Sequence, residues 1–326
     1  MSGYANLTPQ EQVLVLHPIV REALHLYGLG GARFRLANHG FNTTFRIQSH
    51  GRTYALRINI GSARSNEEIR GEVAWIEALA RESEVKVPAP VRSLDGEGVV
   101  EIPSPYFESQ RRVVLYDWLD GRHFSNRIGR KGGHLIGRLI GRLHDHGQRF
   151  RFPPGASRPK MLDILDSVPW RLPEKGILRE MRDKAQSVME KFANVPRQVV
   201  HFDVHLGNLK IHRDEVSVFD FDDCLMAWPG LDIAQSMFYL RRSIHAEELE
   251  RGLWEGLGKP LESYGLDREE FEVLVAGRAL LLACDLLGNR NAELQKLAPQ
   301  YVANTEVRIK NYLETGRFDT RLTAPG

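Results

Sequence analysis

Val199-Val200-His201-Phe202-Asp203-Val204-His205-Leu206-Gly207-Asn208, followed by Val216-Ser217-Val218-Phe219-Asp220-Phe221-Asp222-Asp223, decides how this chain is read. An apolar pair runs into His-x-Asp. Four intervening residues lead to Asn208, and twelve residues further on a second apolar run ends at Asp220. The plainest reading is a polar loop after a buried strand, with His201 a satisfied core histidine. By chance, His-x-Asp-x4-Asn alone would occur in roughly one chain in tens of this length. Requiring a strand-borne Asp downstream makes coincidence much rarer.

The residue types fit one chemistry. Hard cations take oxygen ligands, which Asn208 and Asp220 supply, with Asp222 the next candidate. Asp203 can orient an attacking hydroxyl or accept its proton. His201 pins the loop. His205 is a poor Mg²⁺ ligand and is read as loop-shaping, and Gly207 lets the backbone turn tightly before Asn208. Protein kinases place an Asp, an Asn and a downstream metal-binding Asp in the same order, so phosphoryl transfer from Mg²⁺-bound ATP is the expected reaction.

The forms His-x-Asp-x-His-x-Gly-Asn (201–208) and Asp-Phe-Asp-Asp-Cys (220–224) make the resemblance specific. The segment resembles the Brenner and metal-binding motifs of the aminoglycoside phosphotransferase and choline kinase superfamily. It looks closest to homoserine-kinase-type and stress-response-kinase-type bacterial members. Phe202 departs from the Gly often found there. The resemblance implies an α+β fold with two protein-kinase-like lobes: a small antiparallel-sheet lobe over 1–115, a hinge at 116–121 and a larger, mainly helical lobe over 122–326.

Length and composition agree with that. The chain has 326 residues, 42% of them hydrophobic and 26% charged, enough for two ordinary domains and against disorder. Its 44 basic and 42 acidic residues leave a net charge of +2, too balanced to argue for nucleic acid or an anionic membrane. Cys224 and Cys284 offer no disulfide framework and fit a reducing cytosol. The first residues show no signal-peptide pattern, and the longest apolar run, Ala279–Cys284, is far too short to span a bilayer. The expected location is cytoplasmic.

Upstream, apolar spacing predicts a helix over Pro9–Tyr27 and strands at Phe34–Ala37, Thr44–Ile47 and Thr53–Ile58. In the resemblance, the loop Asn38-His39-Gly40-Phe41-Asn42 takes the place of the glycine-rich phosphate cover, so Asn38, Gly40 and Asn42 are candidate nucleotide contacts. Arg57 stands where kinases place their strand Lys. Alternation along Tyr54–Ile58 sets Arg57 on the opposite face from its neighbours. Glu72, on a helix expected over Asn66–Arg81, is its implied partner, although Glu67, Glu68 and Glu77 compete. Arg112–Leu119 reads as a strand entering the hinge. There Tyr116, Trp118 and Leu119 would line the purine pocket, with core packing preferred for Trp118 over stacking.

Further on, Gly132–Gln148 reads as a helix ending in Leu143-His144-Asp145, with His144 structural. Asp232, at the start of a helix opened by Pro229, is implied to fix the catalytic loop. Helices are expected over Glu247–Leu257, Asp267–Leu287 and Asn304–Leu313, with Asp223, Asp285 and Asn289 as possible substrate-lining groups. Only Cys224–Trp228 separates Asp223 from Pro229, too short for a protein-kinase activation segment. A small-molecule hydroxyl, on an amino alcohol or an aminoglycoside-like compound, is therefore the expected acceptor. A protein Ser/Thr, as in stress-response kinases, comes second. A catalytically silent nucleotide-binding regulator comes third, since it would be expected to have lost Asp203, Asn208 or Asp220.

Overall fold

The computed structural model describes residues 3–40, 42–60, 64–161, 169–288 and 296–325. Two compact units emerge: Met1–Asp120 with Arg151–Arg158, and Gly121–Phe150 with Pro159–Gly326.

In the first unit, helix α1 (Pro9–Leu26) begins with Pro at its first position and a reciprocal Thr8–Glu11 capping box. Strands β1 (Arg33–His39), β2 (Asn42–Ser49), β3 (Arg52–Asn59), β4 (Pro90–Val91), β5 (Val100–Ile102) and β6 (Arg111–Asp117) form one antiparallel sheet in the order β1-β2-β3-β6-β4, with β5 also paired to β6. Along β2 the side chains alternate strictly, so Thr43, Phe45 and Ile47 are buried. Phe45, Ile47, Leu56 and Ile58 join Leu16, Ile19, Val20 and Leu24 of α1 in one core. Helix α2 (Asn66–Glu82) starts with a second capping box, Ser65 with Glu68. Gly71 on α2 lies so close to the returning segment that an added Cβ would stand 2.0 Å from the Ser157 carbonyl oxygen.

Two expectations need correction here. The loop expected over Asn38–Asn42 is shorter, because Asn38 ends up inside β1, after a register irregularity, and Asn42 opens β2. Ladder pairing consumes what the sequence presents as loop polarity. Trp118 is half-buried rather than in the core, with the Arg46 guanidinium 4.9 Å from its ring centre.

The second unit is mainly helical: α3 (Arg130–Arg149), α4 (Ile177–Lys191), α5 (Pro229–Leu240), α6 (Ala246–Leu257), α7 (Arg268–Gly288) and α8 (Ala298–Thr315). Short strands carry the site: β7 (Arg122–His123), β8 (Gln198–Val200), the hairpin β9 (Leu209–His212) and β10 (Glu215–Val218), and β11 (Leu225–Ala227), which pairs antiparallel with β8. Helix α8 starts six residues before the expected Asn304. Of the suggested lining groups, Asp223 is half-buried, Asp285 is exposed and Asn289 lies outside the described residues. Among the described residues, no helix is long and apolar enough to cross a membrane.

Candidate active site

The loop after β8 is fixed from beneath by one buried carboxylate. Asp232, in the first turn of α5, accepts the Phe202 backbone N–H at 2.7 Å on one oxygen and faces His144 Nε2 at 2.7 Å on the other. Phe202 sits at φ +66°, a left-handed conformation that favours Gly. Its N–H bond to Asp232 is one restraint holding the backbone there. His144 is thus structural, as expected.

His201 is fully buried against the Phe221 ring, with ring centres 4.4 Å apart. Its Nδ1 accepts the Asp203 N–H at 3.3 Å and its Nε2 reaches the Phe219 carbonyl at 3.3 Å. Burial pushes its pKa down, so the ring is neutral, as the accepting Nδ1 requires.

Asp203 points one oxygen, Oδ2, at Asn208 Nδ2 (2.8 Å) and His205 Nε2 (3.3 Å). Burial alone would raise its pKa. The hydrogen bond from His205, with the Arg278 charge behind it, outweighs that and holds the carboxyl below the ordinary range. Asn208 also donates to the Asp203 carbonyl at 3.1 Å. His205 Nδ1 accepts the Gly207 N–H at 3.0 Å. A Cβ on Gly207 would meet the His205 ring at 2.6 Å, so glycine is needed for the close ring rather than for an unusual backbone angle.

The β9–β10 hairpin brings the last acid in. Val218 pairs with Leu209, and the Phe219 N–H donates to the Asn208 carbonyl at 3.1 Å. Asp220 follows directly, exposed and at φ +63°. Asp222 and Asp223 are half-buried just beyond. Among the described residues, no group of three or more His, Cys, Asp and Glu side chains could hold a metal ion by itself. One amide oxygen and one exposed carboxylate suit a hard cation that takes its remaining oxygens from phosphates and water.

Two neighbours escaped the sequence reading. Arg278 on α7 donates to the Tyr239 hydroxyl at 2.7 Å, and its Nη2 stands 3.9 Å from Asp203 Oδ1. The Tyr239 ring lies 5.1 Å from that of His205. Arg278, the one charged residue within the otherwise apolar stretch Val273–Cys284, was the available signal.

In the first unit, Arg57 and Glu72 meet as a buried two-pronged pair, Nη1–Oε1 2.6 Å and Nη2–Oε2 2.7 Å. Arg57 pairs across the ladder with Thr44 and Val114. The competing carboxylates are engaged elsewhere or exposed: Glu68 caps α2 and Glu77 binds Arg92. The Arg57 guanidinium lies 5.5 Å from the ring centre of Tyr116, which is itself buried, and Leu119 is half-buried. Gly40 N–H donates to the Asn42 carbonyl at 3.0 Å.

Comparison with known proteins gives consistent matches. The family model described as "Phosphotransferase enzyme family", APH, matches residues 33–270. An uncharacterised protein of Synechocystis sp. is 28% identical over 62% of this chain and 58% of its own length. The amicoumacin kinase of Bacillus subtilis is 24% identical over 69% of this chain and 66% of its own length. Each of these matches thus spans less than two thirds of the relative. A solved microcompartment-associated aminopropanol kinase superposes with a TM-score of 0.78 at 23% identity, covering 92% of this chain and 98% of that one. The fold is therefore protein-kinase-like, and the chain belongs to the APH phosphotransferase enzyme family.

Proposed function

We propose that this protein transfers the γ-phosphate of Mg²⁺-bound ATP to a hydroxyl of a small-molecule acceptor, an amino alcohol or an aminoglycoside-like compound. The observation that carries this reading is Asp203. It is an ionised carboxylate on a loop locked by Asp232, with Oδ2 held by Asn208 and His205 and Oδ1 turned toward Arg278.

Each candidate residue has a role in this reading. Asp203 orients the acceptor hydroxyl and takes its proton. Asn208 and Asp220 would hold the cation, which would neutralise phosphate charge when bound. Arg57, kept in place by Glu72, faces the nucleotide phosphates, and Asn38, Gly40 and Asn42 border them. Tyr116, Trp118 and Leu119 hold the purine. His201, His205 and Asp232 support the loop, with Asp222 close to the cation.

A small acceptor is favoured over a protein Ser/Thr because β11 occupies the short stretch after Asp223 and is paired to β8. That leaves no length for a peptide platform. The kinases named among the relatives and solved structures, for amicoumacin and aminopropanol, also carry small-molecule names. The test is ADP release by the purified protein with Mg²⁺ and ATP across amino alcohols, aminoglycosides and a generic protein acceptor, against a no-acceptor control. Release that depends on a small alcohol supports the reading. Release only with the protein acceptor overturns it.

A further inference from the structure

A cavity of about 290 Å³ lies within the second unit, walled by α4, α5 and α7 with Met161 and Trp170. Its lining is chiefly apolar, including Met189, Leu274 and Leu280. Among the described residues, two polar atoms of its lining have no hydrogen-bond partner: the side-chain oxygen of Gln235, a residue only 2% exposed, and Trp170 Nε1. Buried polar atoms are normally satisfied, so an acceptor and a donor left open in one apolar cavity indicate what is meant to enter.

Helices α5 and α7 contribute residues both to the cavity lining and to the site. Gln235 lies on α5 between Asp232, which holds the Asp203 loop, and Tyr239, which holds Arg278. Gly277, in the lining, directly precedes Arg278 on α7. The lining carboxylate, Glu190, is exposed, and Arg182 adds the opposite charge, so nothing buried there would compensate ammonium groups.

We propose that this cavity receives the body of the acceptor, and that the acceptor is an amino alcohol whose amine is acylated by an apolar group rather than one bearing free or multiple ammonium groups. Its amide N–H donates to Gln235, its amide carbonyl accepts from Trp170, and its hydroxyl reaches Asp203. The acceptor oxygen then bonds to the γ-phosphorus. The bond from that phosphorus to the β–γ bridging oxygen breaks, ADP leaves with the electron pair, and the hydroxyl proton passes to Asp203. This narrows the acceptor of the phosphotransfer reading and rests on it.

The test uses the full chain with N-benzoylethanolamine, ethanolamine and kanamycin as alternative acceptors, and equilibrium dialysis of N-benzoylethanolamine alone. Two variants accompany it. Gly277→Val intrudes on the cavity, and an added Cβ there meets only Ala185 Cβ at 3.4 Å, an ordinary contact. Gln235→Leu removes the open oxygen. The expected result is a kcat/KM for N-benzoylethanolamine roughly tenfold or more above the other two, with that preference lost in both variants. Gln235→Leu is also expected to raise Tm, because it removes an unsatisfied buried group. A fall in Tm with the preference kept would mark Gln235 as structural and overturn the proposal. Equal or better use of ethanolamine or kanamycin would overturn it while leaving phosphotransfer standing. Binding lost in the variants without any phosphate transferred would uphold the cavity and overturn the phosphotransfer reading. No binding and no transfer would overturn both.

Discussion

Asp232 does more for the candidate site than its position suggests. It satisfies the N–H of a residue held at φ +66° and a buried histidine at once. Asp232→Asn leaves one of those donors facing an amide N–H₂, at a cost of about 1–3 kcal/mol for an unsatisfied buried group. Urea unfolding should show that loss, and transfer activity should fall further than stability accounts for, because Phe202 no longer holds Asp203 in place. Wild-type stability in the variant would mean the loop is fixed by other contacts. Arg57 is the second test at this scale. Arg57→Ala should raise the KM for ATP and lower turnover, and it also strands Glu72, which is fully buried. Arg57→Lys should keep partial activity, since an ammonium supplies the charge without the fork. Unchanged ATP kinetics in a folded Arg57→Ala would remove the residue from the nucleotide site. Asp203, Asn208 and Asp220 were legible because one loop and one hairpin set their spacing. Arg278 and Tyr239 were not, because separate helices far along the chain deliver them.

Helices α3 and α6 show what composition hides. Gly133 and Gly137 on α3 face Leu249 and Leu253, and Gly252 and Gly256 on α6 face Arg130 and His134. At each of the four, an added Cβ would stand 2.0–2.1 Å from a backbone carbonyl oxygen of the other helix. The two backbones touch where side chains normally intervene. Read as sequence, glycines inside a helix count only as a penalty of about 1 kcal/mol each relative to Ala. Gly137→Ala should therefore destabilise by several kcal/mol, in the range of overpacked cores or above. Gly141→Ala, whose nearest contact of this kind is 4.0 Å, should stabilise by up to about 1 kcal/mol. Thermal melts of the pair decide it, and two changes of the same sign would refute the close crossing. The main helices and the β1–β3 meander followed apolar periodicity closely. Helix α4 did not, and β11 was too short to show a pattern and is defined only by its pairing with β8.

In the second unit, a buried ion-pair network binds the C-terminal segment to the helices. Arg241 meets Glu272 at 2.6 Å and Glu250 at 3.1 Å, Arg268 and Arg317 add to Glu250, and the Phe318 N–H donates to Glu272. Burial would raise the Glu250 pKa, but Arg241, Arg268 and Arg317 overcome it and hold the carboxyl below its ordinary value. Its contribution to stability is thus complete above the unfolded pKa of about 4.3 and is lost as pH falls through the lower folded value. Glu250→Gln should cost about 3–5 kcal/mol by leaving Arg241 short of one buried partner. It should also flatten the acid limb of the stability profile, and a Tm within a degree of wild type would contradict this.

The central claim is that Asp203 acts on the acceptor while Asp220 serves the cation. It is tested most directly by titrating Mg²⁺-bound ATP calorimetrically into wild type, Asp203→Ala and Asp220→Asn, alongside transfer of the γ-phosphate to the acceptor found in the screen. Asp203→Ala should bind nucleotide with near wild-type affinity and lose at least about 10²-fold in turnover. Asp220→Asn should bind it more weakly than Asp203→Ala does. Near wild-type turnover in a folded Asp203→Ala, or equal nucleotide affinity in Asp220→Asn and wild type, would contradict the account.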